Sequence, residues 1–178
     1  MDTPLNEDHA GIHDYARAMA EYNQWMNQKI LAACSTLSDA ERKQDCGAFF
    51  KSIHGTLNHI LLADRVWLAR FAGSNFAFRS LDQELYAEFA DLRSEREKSD
   101  REIIAWAGAL TGPDLSLDLT YTSVVNPKKR SIPIWIAVAH LFNHQTHHRG
   151  QITTLLSQRG IEPGVTDFLW LPQFQTPD

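Results

Sequence analysis

The sequence predicts an all-α protein, an antiparallel four-helix bundle with a short β-hairpin inserted between its third and fourth helices. Three observations carry this expectation. Four long stretches place apolar residues at helical spacing, and each ends at a turn signal. Only one stretch, Leu115 to Val124, alternates apolar and polar residues in the two-residue period of a strand. Internal repeats, low-complexity tracts and linkers are absent from the sequence, and 178 residues suit one domain with a sizeable core.

In chain order, the first helix spans about Ile12 to Leu37, with Tyr15, Met19, Tyr22, Met26, Ile30 and Ala33 along one face. Ser38 with Glu41 three residues on has the form of a capping box, which opens a short helical turn. Gly47 interrupts the pattern. The second long helix is expected from about Phe49 to Ala72, closed by Gly73-Ser74-Asn75. The third, roughly Leu81 to Leu110, is charged, and its run Asp91, Arg93, Glu95, Arg96, Glu97, Lys98 is expected to be a solvated face. Thr111-Gly112-Pro113-Asp114 breaks it. The hairpin follows, turning at Asn126-Pro127. The fourth helix runs from Pro133 to about Arg159, with proline at its first turn and Gly160 at its end. The aromatic tail residues Phe168 and Trp170, with Leu169 and Leu171, are expected to pack back on the bundle, and Trp67 and Trp135 to lie in the core.

Composition excludes several functions. The formal charge of −5 argues against a nucleic-acid partner, and Lys128-Lys129-Arg130 is too short to form a basic face. No apolar run approaches the ~20 residues of a membrane span, and the acidic start, Met1 to Asp8, lacks the apolar core of a secretory signal. A cytoplasmic location is therefore expected. Cys34 and Cys46 do not form a CxxC pair; a reducing compartment is expected, with each thiol a small buried hydrophobe rather than a nucleophile.

The chemistry concentrates in His140-Leu-Phe-Asn-His144-Gln-Thr-His147-His148-Arg-Gly-Gln151. Side chains four apart on a helix share a face, about 5–6 Å between Cβ atoms, so two imidazoles can reach one ion. His140/His144 and His144/His148 both have that spacing, whereas His147 points elsewhere. The residue after His144 is Gln145, so the glutamate of a zinc-protease HExxH helix is missing. A third ligand has to come from a facing helix, as bundle metal sites are built. His59, bracketed by Leu57, Ile60, Ala63 and Trp67, lies near the apolar face of the second helix and is favoured over His54. Three neutral donors describe a catalytic rather than a closed structural site.

Asn58-His59-Ile-Leu-Leu-Ala-Asp64-Arg-Val-Trp67, the histidine segment above, and Tyr22-Asn23-Gln-Trp25-Met-Asn27 together resemble the DinB/YfiT-like family over nearly the whole chain, in order and spacing. The resemblance implies a four-helix bundle holding a divalent metal, zinc or nickel, on three histidines, which fall here on His59, His144 and His148. It also implies a homodimer, and a metal-dependent thiol transferase using a low-molecular-weight thiol such as bacillithiol, mycothiol or glutathione on a small electrophile. The residues fit that chemistry: a divalent ion acidifies a coordinating thiol, and no serine, cysteine or lysine of the chain is poised as a nucleophile. His140, Asp64 and Gln151 are expected to support the ligands from behind, and Arg149 to face solvent or a partner subunit. Two other readings stand beside this one. One is a metal-stabilised, stress-related binding protein without catalysis; the other is a metal-dependent hydrolase with Asp64 as its base.

Overall fold

The computed structural model describes residues 9–123 and 127–175. The acidic N-terminal segment and Asn126 of the expected turn lie outside the described residues. The described chain is mostly helical: α1 His9–Cys34, α2 Asp39–Lys43, α3 Ile53–Phe71, α4 Phe89–Ala109, α5 Gly112–Leu115 and α6 Ile134–Ser157. Strands β1 (Asp118–Thr122) and β2 (Lys129–Pro133) pair antiparallel, with Thr120 opposite Ser131, between α5 and α6. The four long helices form the bundle, in which α1 packs on α4 and α6, and α3 on α4 and α6. No helix among the described residues is long and apolar enough to cross a membrane.

The apolar stripes meet as the period predicts. Met26, Ile30 and Leu31 of α1, Ile53, Ile60 and Leu61 of α3, Leu92 and Ile103 of α4, and Leu141, Phe142, Ile152 and Leu156 of α6 are all buried. Each such side chain contributes about 1.5–3 kcal/mol by leaving water. Ser38 and Glu41 form the expected capping box at α2. Trp67 is in the core, but Trp135 is not: it is 41% exposed, because the first turn of α6 stands clear of the bundle beside the hairpin. In the tail Leu171 is buried and Phe168 packs against Tyr22, while Leu169 and Trp170 face outward.

Helix α1 lies three residues earlier than expected at both ends, and two further boundaries differ for local reasons. Helix α3 begins at Ile53 rather than near Phe49, because Ser52 caps it by accepting a hydrogen bond from the Gly55 amide. Phe49 and Phe50 therefore belong to a tight turn. Its Cys46 amide donates to the Lys51 carbonyl, and Lys51 itself sits at φ +65°. Helix α4 begins at Phe89 rather than Leu81, because side chains of α3 take up the backbone of the preceding segment. Asn58 Oδ1 accepts from the Leu85 and Tyr86 amides, and Asn58 Nδ2 and His54 Nε2 donate to the Tyr86 carbonyl. Peptide groups bonded sideways to α3 are not free for a helical ladder.

The charge run of α4 is not wholly a solvated face. Arg96 and Asp100 are buried, and they organise a polar layer through all four long helices. Asp64 of α3 accepts from Arg96 and from Gln145 of α6. Asp100 lies 3.0 Å from Arg96 and accepts from Asn27 of α1 at 2.8 Å. Arg149 of α6, expected at the surface, is 2% exposed and donates to Asn23 of α1. It is inside because two buried carboxylates need two buried cations. Burial pushes the Asp64 carboxyl up to about 6 against the pull of Arg96, and drops Arg149 to about 10, where it stays protonated at neutral pH. Such a layer adds little net stability, but any other register strands a charge in the core.

Candidate metal centre

Helix α3 supplies His59, and α6 supplies His144 and His148 one turn apart. One ring nitrogen from each lies within 4.8 Å of the other two. His59 Nε2 and His144 Nε2 are 3.2 Å apart, close to the roughly 3.3 Å between two nitrogens bound tetrahedrally to one ion at about 2.05 Å. The ring centroids of His148 lie 4.6 Å from His59 and 4.4 Å from His144.

The outer nitrogens set the tautomers. His59 Nδ1 donates to the Leu81 carbonyl at 2.8 Å, and His148 Nδ1 donates to Gln151 Oε1 at 2.8 Å. Both rings then carry their proton on Nδ1 and turn the Nε2 lone pair inward, the arrangement by which metal-ligating imidazoles are oriented. With His59 Nε2 a bare acceptor, the facing His144 Nε2 needs either a proton or a shared cation between them. His144 Nδ1 is buried without a hydrogen-bond partner among the described residues.

The site favours uncharged imidazole. Burial pulls His59 down to about 4 and His144 to about 3, the latter with added repulsion from His148 and His59. Burial lowers His148 as well. Neutral donors at pH 7 are the form a divalent cation needs. The residues present therefore fit a three-histidine metal site.

A wall invisible in the sequence closes one side. The Phe50 ring stacks on His59 with centroids 3.7 Å apart and planes 16° off parallel, and meets His148 edge-on at 5.5 Å. The loop carrying Phe50 is pressed onto α3 at Gly55, where a Cβ would lie 2.2 Å from the Phe50 carbonyl oxygen. Only glycine admits that approach.

The remaining expected residues separate into two groups. Gln151 does bond His148, as described. His140 lies next to the centre, its ring 5.8 Å from His144 and 4.9 Å from Trp67. Asp64 bonds Arg96 and Gln145 rather than a histidine, so it ties α3 to α6 one residue from His144. His54 is buried against Tyr86, and His147 is exposed with its ring edge-on to His148. Sequence reasoning missed Phe50, the Leu81 carbonyl, and the buried role of Arg149. The Ser52 cap was the one available signal for Phe50; a backbone carbonyl carries none.

Three comparisons bear on this centre. A family model described as "DinB family" matches residues 2–178. Protein DinB of Bacillus subtilis (strain 168) is 27% identical over 160 residues, covering 88% of this chain and 93% of that protein. A crystal structure of a DinB-like protein from Bacillus cereus ATCC 10987 superposes with a TM-score of 0.60 at 27% identity, covering 81% of this chain and 91% of that one.

Proposed function

From the premise that this chain belongs to the DinB family, we propose that it is a divalent-metal protein of the zinc or nickel type. In this reading His59, His144 and His148 are the ligands, and the protein transfers a low-molecular-weight thiol to a small electrophile. The observation that carries the reading is the convergence of three neutral imidazole nitrogens within 4.8 Å, with the Nδ1–H of His59 and His148 already engaged from behind.

Three protein donors, where a structural zinc site uses four, support a reactive centre. A divalent ion bound there supplies acidification of a coordinating thiol at neutral pH. The chain's own residues hold and shield. Leu81 and Gln151 fix the ring orientations of His59 and His148, and Phe50 keeps water from the face of His59. Cys34 supports a nucleophile that arrives as a cosubstrate: it is fully buried, with its thiol pushed up to about 12.

The test is elemental analysis of the full chain beside His59→Ala, His144→Ala and His148→Ala. Near-stoichiometric metal in the wild type, lost in each variant while the helical circular dichroism stays, is the expected result. Unchanged metal in the variants overturns the ligand assignment. Transfer is then read with glutathione, bacillithiol and mycothiol against a general electrophile. No thiol-dependent turnover by metal-loaded protein refutes the transferase reading and leaves the metal site standing.

A further inference from the structure

Beyond the histidines, the wall of rings continues through His140 to Trp67, and from Trp67 to Tyr121 of β1, 5.4 Å away. Over these two rings lies the Arg70 guanidinium, 4.6 Å from the Trp67 centroid and 4.3 Å from that of Tyr121. Arg70 is half-buried, and among the described residues its guanidinium has no hydrogen bond and no carboxylate partner. The other arginines near the bundle interior, Arg65, Arg96 and Arg149, all have acceptors. Arg70 also lines a cavity of about 290 Å³ between the end of α3 and the hairpin, with Ser74, Asn75, Thr120, Thr122 and Lys129. No Asp or Glu lines that cavity.

A guanidinium laid on aromatic faces is fixed in plane while its N–H edges stay free, and that edge matches an oxyanion through two parallel hydrogen bonds. Half-burial strengthens the attraction over that of an exposed cation. We propose that Arg70, backed by Trp67 and Tyr121 and assisted by Lys129, is an oxyanion subsite for the carboxylate or phosphate group of a small molecule. The subsite stands on this geometry alone and does not rest on the metal reading above.

The test titrates the full chain, metal-free and zinc-loaded, with inorganic phosphate and with succinate, by calorimetry and by the Arg70 Nε–H resonance. Saturable binding of at least one of the two anions in both metal states, with a shift of that resonance, is expected. Arg70→Gln should weaken it at least about tenfold, and Arg70→Lys should restore only part of it, since a point charge lacks the fork. Lys129→Ala should weaken it by roughly twofold to fourfold, as an exposed, screened cation. Phosphate against succinate distinguishes the two oxyanion sources. Binding that survives Arg70→Gln, or no saturation and no Arg70 shift in the wild type, overturns the subsite. Binding seen only with zinc and lost in His144→Ala, with Arg70→Gln intact, would place the anion on the metal and overturn it equally. Should Arg70→Gln fail to fold, the wild-type resonance alone decides.

Discussion

Replacing Phe50 by alanine separates its role as a wall of the proposed metal centre from ordinary packing. Phe50 is 7% exposed, one ring face lies on His59 at 3.7 Å, and its edge meets His148 at 5.5 Å. Truncating a buried phenylalanine costs about 3–5 kcal/mol. Phe50 sits on a turn able to relax, so the lower end applies: about 3 kcal/mol, or roughly 6–12 °C in Tm for a chain of this size. That much follows from burial alone. The second consequence does not: His59 keeps its bond to the Leu81 carbonyl but loses the ring that fixes its plane. Losing outer support of this kind costs about 10–100-fold in metal affinity, and the lower end, near tenfold, fits a contact without a hydrogen bond. Thermal unfolding of metal-free protein and competition with a chelator measure the two effects separately. Phe50→Leu, which refills volume without a flat face, should recover most of the Tm and little of the affinity. A Phe50→Ala protein that loses stability but binds metal as the wild type does would refute the argument.

Gly55→Ala should act on the same wall from behind. Its Cβ would overlap the Phe50 carbonyl, so the turn must lift, and metal affinity should fall together with Tm. Asp64→Ala leaves Arg96 facing a buried gap and should cost about 3–5 kcal/mol in urea unfolding; a loss under 1 kcal/mol would show that the layer is not closed. Native protein should expose Cys46 but not Cys34 to a thiol reagent, because burial pushes the Cys34 thiol up to about 12, and unfolding should release the second thiol. The metal-free fold should weaken on acidification. His59 and His144 hold folded pKa values of about 4 and 3, below the unfolded value of about 6.5. The unfolded chain therefore takes up protons first, and stability present above pH 6.5 is lost as pH falls toward 4 and 3. Asp64, raised to about 6, and Asp100, also raised by burial, oppose this. They should only soften the slope, because burial lowers His54, His140 and His148 along with His59 and His144. A flat stability profile from pH 7 to 4 would contradict the burial of these rings.

The bundle and the His144/His148 pair were legible because they depend on local period, and His59 was read from its place on an apolar face and from the family resemblance. Apolar residues three and four apart form a stripe whatever lies opposite, and the four-residue spacing of His144 and His148 puts both on one face of α6. Capping at Ser38 and the hairpin were read for the same reason, since their signals sit within a few residues. What local pattern could not show was which polar side chains turn inward. Arg96 and Arg149 look like surface charges in sequence; Arg96 is buried against Asp64 of α3 and against Asp100 one turn on in α4, and Arg149 of α6 lies in the field of the same two carboxylates. Phe50 touches His59 only because the Ser52 cap and Gly55 bend a turn over α3, and the Leu81 carbonyl reaches His59 only because Asn58 pins the segment that follows. Arg70 likewise gains its meaning from Tyr121, about fifty residues later in the chain, across a contact no local pattern encodes. The sequence by itself determined helices and the spacing of the α6 histidines, because short-range sterics and period set both. Tertiary packing alone decided the charge partners, the wall and the tautomers, because each depends on groups brought together from distant positions in a low-dielectric interior.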